Sequence, residues 1–273
     1  MSQRARTLAE SRGRRRRAAR IRRIRVTAAA LIGFAVLVTV LARGAQRDGP
    51  VETGRSSSVA AQKEVRFTVA ASGDLLIHAP IYQRAQALSG GGDYDFRPML
   101  EPIKRYIAGA DLAICHVETP LVPGPPLGYP SFRTPPALAD AVKATGWDVC
   151  STASNHSLDA GQAGIATTRR ALSRSGVLHT GSFASPAQRR QPLIVPVKGV
   201  KLAFLSYTEM TNGLPLPNPW SVNLARPKRI LADARRARDR GAEVVVVNLH
   251  WGQEFQHTPS AAQLRIARKL TRS

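Results

Sequence analysis

The chain has 273 residues, 40 Lys plus Arg against 18 Asp plus Glu, and a formal net charge of +22. A hydrophobic share of 43% excludes a wholly disordered chain, and two cysteines exclude a disulfide-stapled mini-fold and a four-cysteine zinc module. The charge invites a nucleic-acid reading, which stands or falls on where the charge lies.

Residues 1–25 hold eleven Arg and one acid, Glu10, a charge of +10 that leaves +12 for the other 248 residues. Residues 26–42 follow, 17 positions with no charge and no Pro. As a helix they span about 25 Å at ~1.5 Å per residue. That suffices for a hydrocarbon core of about 30 Å once Arg25 and Arg43 snorkel. Arg is costly to translocate, so the basic arm stays in the cytoplasm and the rest is exported. An uncleaved anchor and a cleaved signal peptide compete. Ala42-Arg43-Gly44-Ala45 is a poor small-x-small cleavage site, which favours a single-pass anchor at 26–42. Residues 43–63 are polar and without apolar periodicity, a flexible linker. The expectation is a cell-membrane protein with a cytoplasmic arm and an extracytoplasmic domain from residue 64 to 273.

In that domain short apolar runs alternate with amphipathic stretches. Residues 65–71 alternate and then turn apolar, as a strand entering a core does. Residues 111–117, 147–153, 201–207 and 243–249 read as further strands. Residues 193–197 read as an edge strand, because Pro196 cannot donate to a ladder. Residues 135–145, 164–175 and 227–240 carry helical spacing and stop at Gly146, Gly176 and Gly241. Residues 261–270 read as one more helix. Apolar strands between helices predict an α/β fold, a largely parallel or mixed sheet layered with helices. Residues 122–136 hold six prolines and residues 214–219 three, so both are irregular: rigid loops, or walls of a substrate cleft. Gly90-Gly91-Gly92 reads as a flexible loop with no following helix to cradle a phosphate. Cys115 and Cys150 lie on consecutive strands of an exported domain; a disulfide behind the site and two buried thiols are both open, and compartment and adjacency favour the bridge.

Ligands of open α/β sheets bind beyond the carboxyl ends of the strands. There the sequence places Asp74, Glu118, the pair Asn155-His156 with Asp159, and His250. Carboxylate, amide and imidazole donors suit Mn, Fe or Zn, and two adjacent ions would clamp a displacement at phosphorus. No G-x-S-x-G elbow, Walker loop or dinucleotide fingerprint competes.

Ser72-Gly-Asp-Leu-Leu, Asp111-Leu-Ala-Ile-Cys-His-Val-Glu-Thr, Ala153-Ser-Asn-His-Ser-Leu-Asp and Leu249-His-Trp-Gly-Gln-Glu resemble the poly-γ-glutamate capsule synthesis family, CapA, from about residue 66 onward. That family looks like a branch of the calcineurin-like metallophosphatases, which implies a metallophosphatase-like mixed sheet layered with helices. The resemblance makes Asp74, Glu118, Asn155 and His250 metal ligands and His156 a catalytic histidine. Asp159 either orients His156 or caps a helix. His78 and His116 match no ligand position and read as supporting residues. Glu254 reads as a surface acid beside the site.

The family continues with a Gly-His-x-x-His segment that this sequence does not contain. The expectation is a C-terminally incomplete fold with weak or absent ion binding. The implied function is synthesis, export or attachment of an anionic surface polymer such as poly-γ-glutamate at the cytoplasmic membrane, beside membrane proteins of polymer synthesis. The alternative is a non-catalytic polyanion-binding subunit. A nucleic-acid role is not expected, since only 5% of residues are aromatic and no binding motif appears.

Overall fold

The computed structural model describes residues 64–272. The predicted arm, anchor and linker of residues 1–63 lie outside the described residues. Among the described residues no helix is long and apolar enough to cross a membrane.

Four parallel strands build a first sheet in chain order: β1 (Val69–Leu75), β2 (Leu112–Val117), β3 (Val149–Ser151) and β4 (Leu178–Thr180). Every residue of β2 is buried, which fits an apolar run with no polar face. Its two faces do different work. Ala113, Cys115 and Val117 point toward a helical layer of α1 (Ala79–Leu88), α2 (Arg97–Ala108), α3 (Ala137–Thr145) and the end of α4 (Gly161–Arg174). Trp147, Leu138, Val142 and Leu172 are fully buried in that layer. Each such side chain contributes about 1.5–3 kcal/mol by leaving water. Cys115 and Cys150, paired in register across β2 and β3 with Cα atoms 4.5 Å apart, are joined by a disulfide on this helix-facing side. His116 belongs to the opposite face, because successive strand side chains alternate.

After the short α5 (Pro186–Arg190), a second sheet holds β5 (Leu193–Val197), β6 (Val200–Thr208) and β7 (Val244–His250). β5 runs antiparallel to β6 through the two-residue turn Lys198-Gly199, both at positive φ, and β7 runs parallel to β6. Pro196 sits on the edge strand, as expected. One face carries Leu205 and Tyr207 against α6 (Pro227–Asp239) and α7 (Ala261–Thr271). The other face, in register Ser206↔Asn248 and Thr208↔His250, turns toward the first sheet. α7 begins in a capping box of Ser260 and Gln263.

Residues 222–224 stitch the sheets together. Asn223 N donates to Gly181 O at 2.9 Å, its Nδ2 donates to Ser206 O at 3.0 Å, and its carbonyl accepts from Thr208 N at 2.9 Å. Gly181 has φ 118°, and a Cβ there would lie 2.6 Å from Ala153 N and 2.7 Å from Ser206 Oγ. Only glycine lets the two sheets approach this closely.

The mixed α/β expectation agrees with the structure, with its strands divided between two sheets. α1 and α2 have no counterpart among the predicted elements. Their prolines do not prevent them: Pro80 and Pro98 sit in opening turns and α2 continues through Pro102. The loop 90–92 is therefore followed by a helix. At its first turn Asp95 Oδ1 accepts from Arg97 N at 2.9 Å, so a carboxylate already takes one of the donors a phosphate would need.

Candidate metal centre

The site begins with one extra residue. β1 and β2 stay in register through Ala71↔Ile114, then resume at Asp74↔His116, so β1 takes three steps where β2 takes two. A bulge at Ser72-Gly73 of this kind re-aims the next side chain. It turns Asp74 toward His116, Oδ1 to Nε2 3.8 Å.

His116 is 2% exposed, and burial, followed by the neighbouring His250, pushes its pKa down to about 4. It is therefore neutral at physiological pH. Its Nδ1 lies 2.5 Å from Ser151 Oγ, which donates onward to the Cys115 carbonyl at 3.3 Å. The serine thus accepts from Nδ1–H, which leaves Nε2 as a bare lone pair. That Nε2 is buried and has no hydrogen-bond partner. A lone pair oriented by a second hydrogen bond is the form in which imidazole ligates metals.

His250 ends β7 and lies over His116, ring centroids 4.9 Å apart and nearly parallel at 12°. Its Nδ1 is 3.6 Å from Asp74 Oδ1, and its Nε2 is 2.9 Å from Asn155 Oδ1 and 3.7 Å from Glu118 Oε1. Burial opposes its cation, but the Asp74 contact and the charges of Glu118 and Asp74 outweigh it and raise its pKa. His250 in turn holds the Asp74 carboxyl below its ordinary range, against burial. Glu118 is 6% exposed; burial first and the Asp74 charge second push it up to about 6, and its Oε2 has no partner.

Asp74, His116 and His250 each bring a ligand atom within 4.8 Å of the other two. Two bare buried acceptors, His116 Nε2 and Glu118 Oε2, lie in the same cluster. Such atoms are costly unless something positive satisfies them. The donor set of imidazole nitrogens, carboxylates and one amide oxygen fits Mn, Fe or Zn.

The loop after β3 is held by serines. Ser154 N donates to Ser157 Oγ at 2.7 Å, Ser157 Oγ donates to Thr152 O at 2.9 Å, and His156 N donates to Ser154 Oγ at 2.9 Å. Asn155 and His156 thereby stand at the rim. His156 Nδ1 is 2.8 Å from Asp159 Oδ2, which also accepts from Phe132 N at 2.7 Å. The N-cap of α4 is Ala160, with no side-chain cap, so Asp159 serves His156 and the loop rather than the helix. Phe132, from the proline-rich loop, sets its ring edge-on between His156 at 4.7 Å and His78 at 5.0 Å.

Asp74, Glu118, Asn155, His156, His250, His78 and Phe132 line a cleft of about 550 Å³, together with Tyr129, Glu209, Met210, Glu254 and Phe255. The proline-rich loop supplies Tyr129 and Phe132, so it does wall the cleft. No Lys or Arg lines it. A larger groove of about 930 Å³ between α2, α3 and α4 is lined by no histidine, and of its carboxylates Asp95 and Asp140 already engage Arg97 and Ser175. His78, His156, His250 and Glu118 with its bare oxygen lie at the smaller cleft.

All six residues picked from the strand ends meet here. His116, read from sequence as a supporting residue, joins the three-residue metal-type group. Its signal was its register opposite Asp74, which depends on a bulge the sequence does not announce. Asn212, whose Oδ1 accepts from Asn155 Nδ2 at 3.2 Å, was not anticipated and comes from the second irregular segment's approach.

Residues 68–273 match the family described as bacterial capsule synthesis protein PGA_cap. The chain is 26% identical over 192 residues to a capsule biosynthesis protein, CapA, of Bacillus anthracis, covering 66% of this chain and 46% of that one. It is 26% identical over 153 residues to a probable polyglutamine synthesis accessory protein of Mycobacterium tuberculosis, 51% of this chain and 40% of the relative. A PGA biosynthesis protein, CapA, of Bacillus subtilis is 26% identical over 133 residues, 48% and 35% of the two chains. The matched region spans less than half the length of each of these relatives.

Proposed function

The chain belongs to the bacterial capsule synthesis protein family, and on that premise we propose that it acts at the outer side of the cytoplasmic membrane in making, exporting or attaching an anionic surface polymer of the polyglutamate type, through a metal-dependent, phosphoesterase-type site. The observation that carries the chemical half of this reading is the cluster of Asp74, His116 and His250 with its two bare buried acceptors. The relatives' names carry the polymer half.

Asp74, His116 and His250 would hold a divalent ion, with Glu118 and Asn155 completing the shell. His116 is a donor that the sequence reading did not count, and with it we propose one firmly held ion. A divalent ion there supplies Lewis-acid polarisation of a phosphoryl oxygen. Ser151 fixes the His116 tautomer. Asp159 fixes the His156 ring, leaving Nε2 as the nitrogen able to pass a proton to a departing oxygen. Phe132 shields one edge of His156 from water. The test is hydrolysis of a generic phosphodiester by the full chain with Mn, Fe or Zn supplied in turn. The reading expects metal-dependent turnover that Asp74→Asn and His156→Gln both reduce. Absence of turnover with every metal refutes the hydrolytic role and favours a non-catalytic binding subunit.

A further inference from the structure

The charge of the exported domain is not spread evenly. The cleft is lined by acids and histidines with no Lys or Arg, while α6 and α7 form a basic outer layer over the second sheet. On α6, Ile230, Ala234 and Ala237 face the core, and Lys228, Arg235, Arg238 and the capping Arg240 face water. On α7, Arg265, Arg268 and Arg272 are exposed, spaced three and four residues apart, and the helix contains no acid. At ~1.5 Å per residue those arginines recur about every 4.5–6 Å along one face. None of these seven side chains has an ion-pair partner among the described residues. Arg189, Arg236 and Arg229 are instead engaged by the buried Asp233 at 2.5, 2.6 and 3.8 Å. Arg235, Arg236 and Arg238 also line a shallow basin of about 440 Å³ with Asp239 as its one acid.

We infer that the outer face of α6 and α7 is a docking surface for an anionic polymer with closely repeated carboxylates, separate from the cleft. The inference rests on the polymer reading above. Guanidinium forks match carboxylates two bonds at a time, and a row of them holds a repeating anion at many points. A bilayer-seeking helix would present large apolar or aromatic residues. A single-strand nucleic-acid surface would present stacking aromatics. α6 and α7 contain no aromatic residue, and Leu264 is their only large exposed apolar side chain. A cleft lined by no Lys or Arg also needs the polymer's distant charges to be held elsewhere.

The test uses the full chain in detergent with a labelled synthetic polyglutamate of defined length. The variant R235E/R268E/R272E is compared with R97E/R170E/R174E on the opposite groove. Both retain the same N-terminal arm, and unchanged circular dichroism and melting confirm that each folds. The docking surface predicts at least about tenfold weaker binding for the first variant and less than about twofold for the second. It also predicts polymer-induced slowing of hydrogen exchange in α6 and α7. Equal weakening in both variants, or protection elsewhere, overturns the docking surface and leaves the polymer reading standing. Tighter binding to DNA or to anionic vesicles at matched charge overturns the choice of partner. Failure of the full chain to bind polyglutamate at low salt overturns the polymer reading itself.

Discussion

A buried carboxyl that waits for a cation should weaken the ion-free protein, and Glu118→Gln measures that cost. Glu118 is 6% exposed, has one oxygen without a partner, and titrates near 6 instead of 4.5. A carboxyl whose folded pKa is raised holds its proton longer folded than unfolded. Stability is therefore lost as pH rises from about 4.5 through about 6, and stays lost above. The rise corresponds to about 2 kcal/mol at pH 8. Gln retains the shape of the protonated acid but never ionises. The net rise already includes the attraction to His250, so the gain expected is about 2 kcal/mol. The assay is urea unfolding of both proteins with chelator at pH 8 and pH 4.5. The Gln variant should be the more stable at pH 8 and equal to the parent at pH 4.5, while binding a divalent ion more weakly. A variant no more stable than the parent at pH 8 would refute the idea that this carboxylate is held for an ion.

Three further outcomes follow from the geometry. Reducing Cys115–Cys150 opens a loop with sequence separation 35. Chain entropy puts the loss at about 4 kcal/mol, or roughly 8–16 °C in melting temperature, and identical melts with and without reductant would contradict it. Because the bridge lies beside His116 and Ser151, reduction should also weaken ion binding. Gly181→Ala combines a disfavoured φ with overlap against Ala153 and Ser206. It should cost about 3 kcal/mol or more in denaturant unfolding, and a loss below about 1 would show that the seam yields. Asp159→Asn keeps an acceptor for Phe132 N but removes the charge from His156. Phosphodiester kcat should fall about 10–100-fold with KM and melting temperature little changed, and the pH profile should shift; a change confined to stability would assign Asp159 to the fold alone.

The sequence revealed most of the strands because each is an apolar run with a clear end, and their polar successors marked the rim. Asp74, Glu118, Asn155 and His250 were readable for that reason alone. Less readable was what depends on geometry between segments. His116 comes to face Asp74 through a one-residue bulge in β1, and no local pattern marks Ser72-Gly73 as bulged. α1 and α2 lack a clean local signature: two of their three prolines occupy opening turns where no N–H is needed, and the third lies inside α2. β4 spans three residues, too few to show a period. The division into two sheets hinges on Gly181 and on residues 222–224, which form a seam by close backbone approach and not by composition.

The most direct measurement is the metal content of the purified full chain after equilibration with Mn, Fe or Zn and removal of free ion. One equivalent that is retained by the parent and lost in both Asp74→Asn and His250→Ala is the predicted result. No retained metal in the parent, or equal retention in the variants, would contradict the assignment of this cluster as a metal centre.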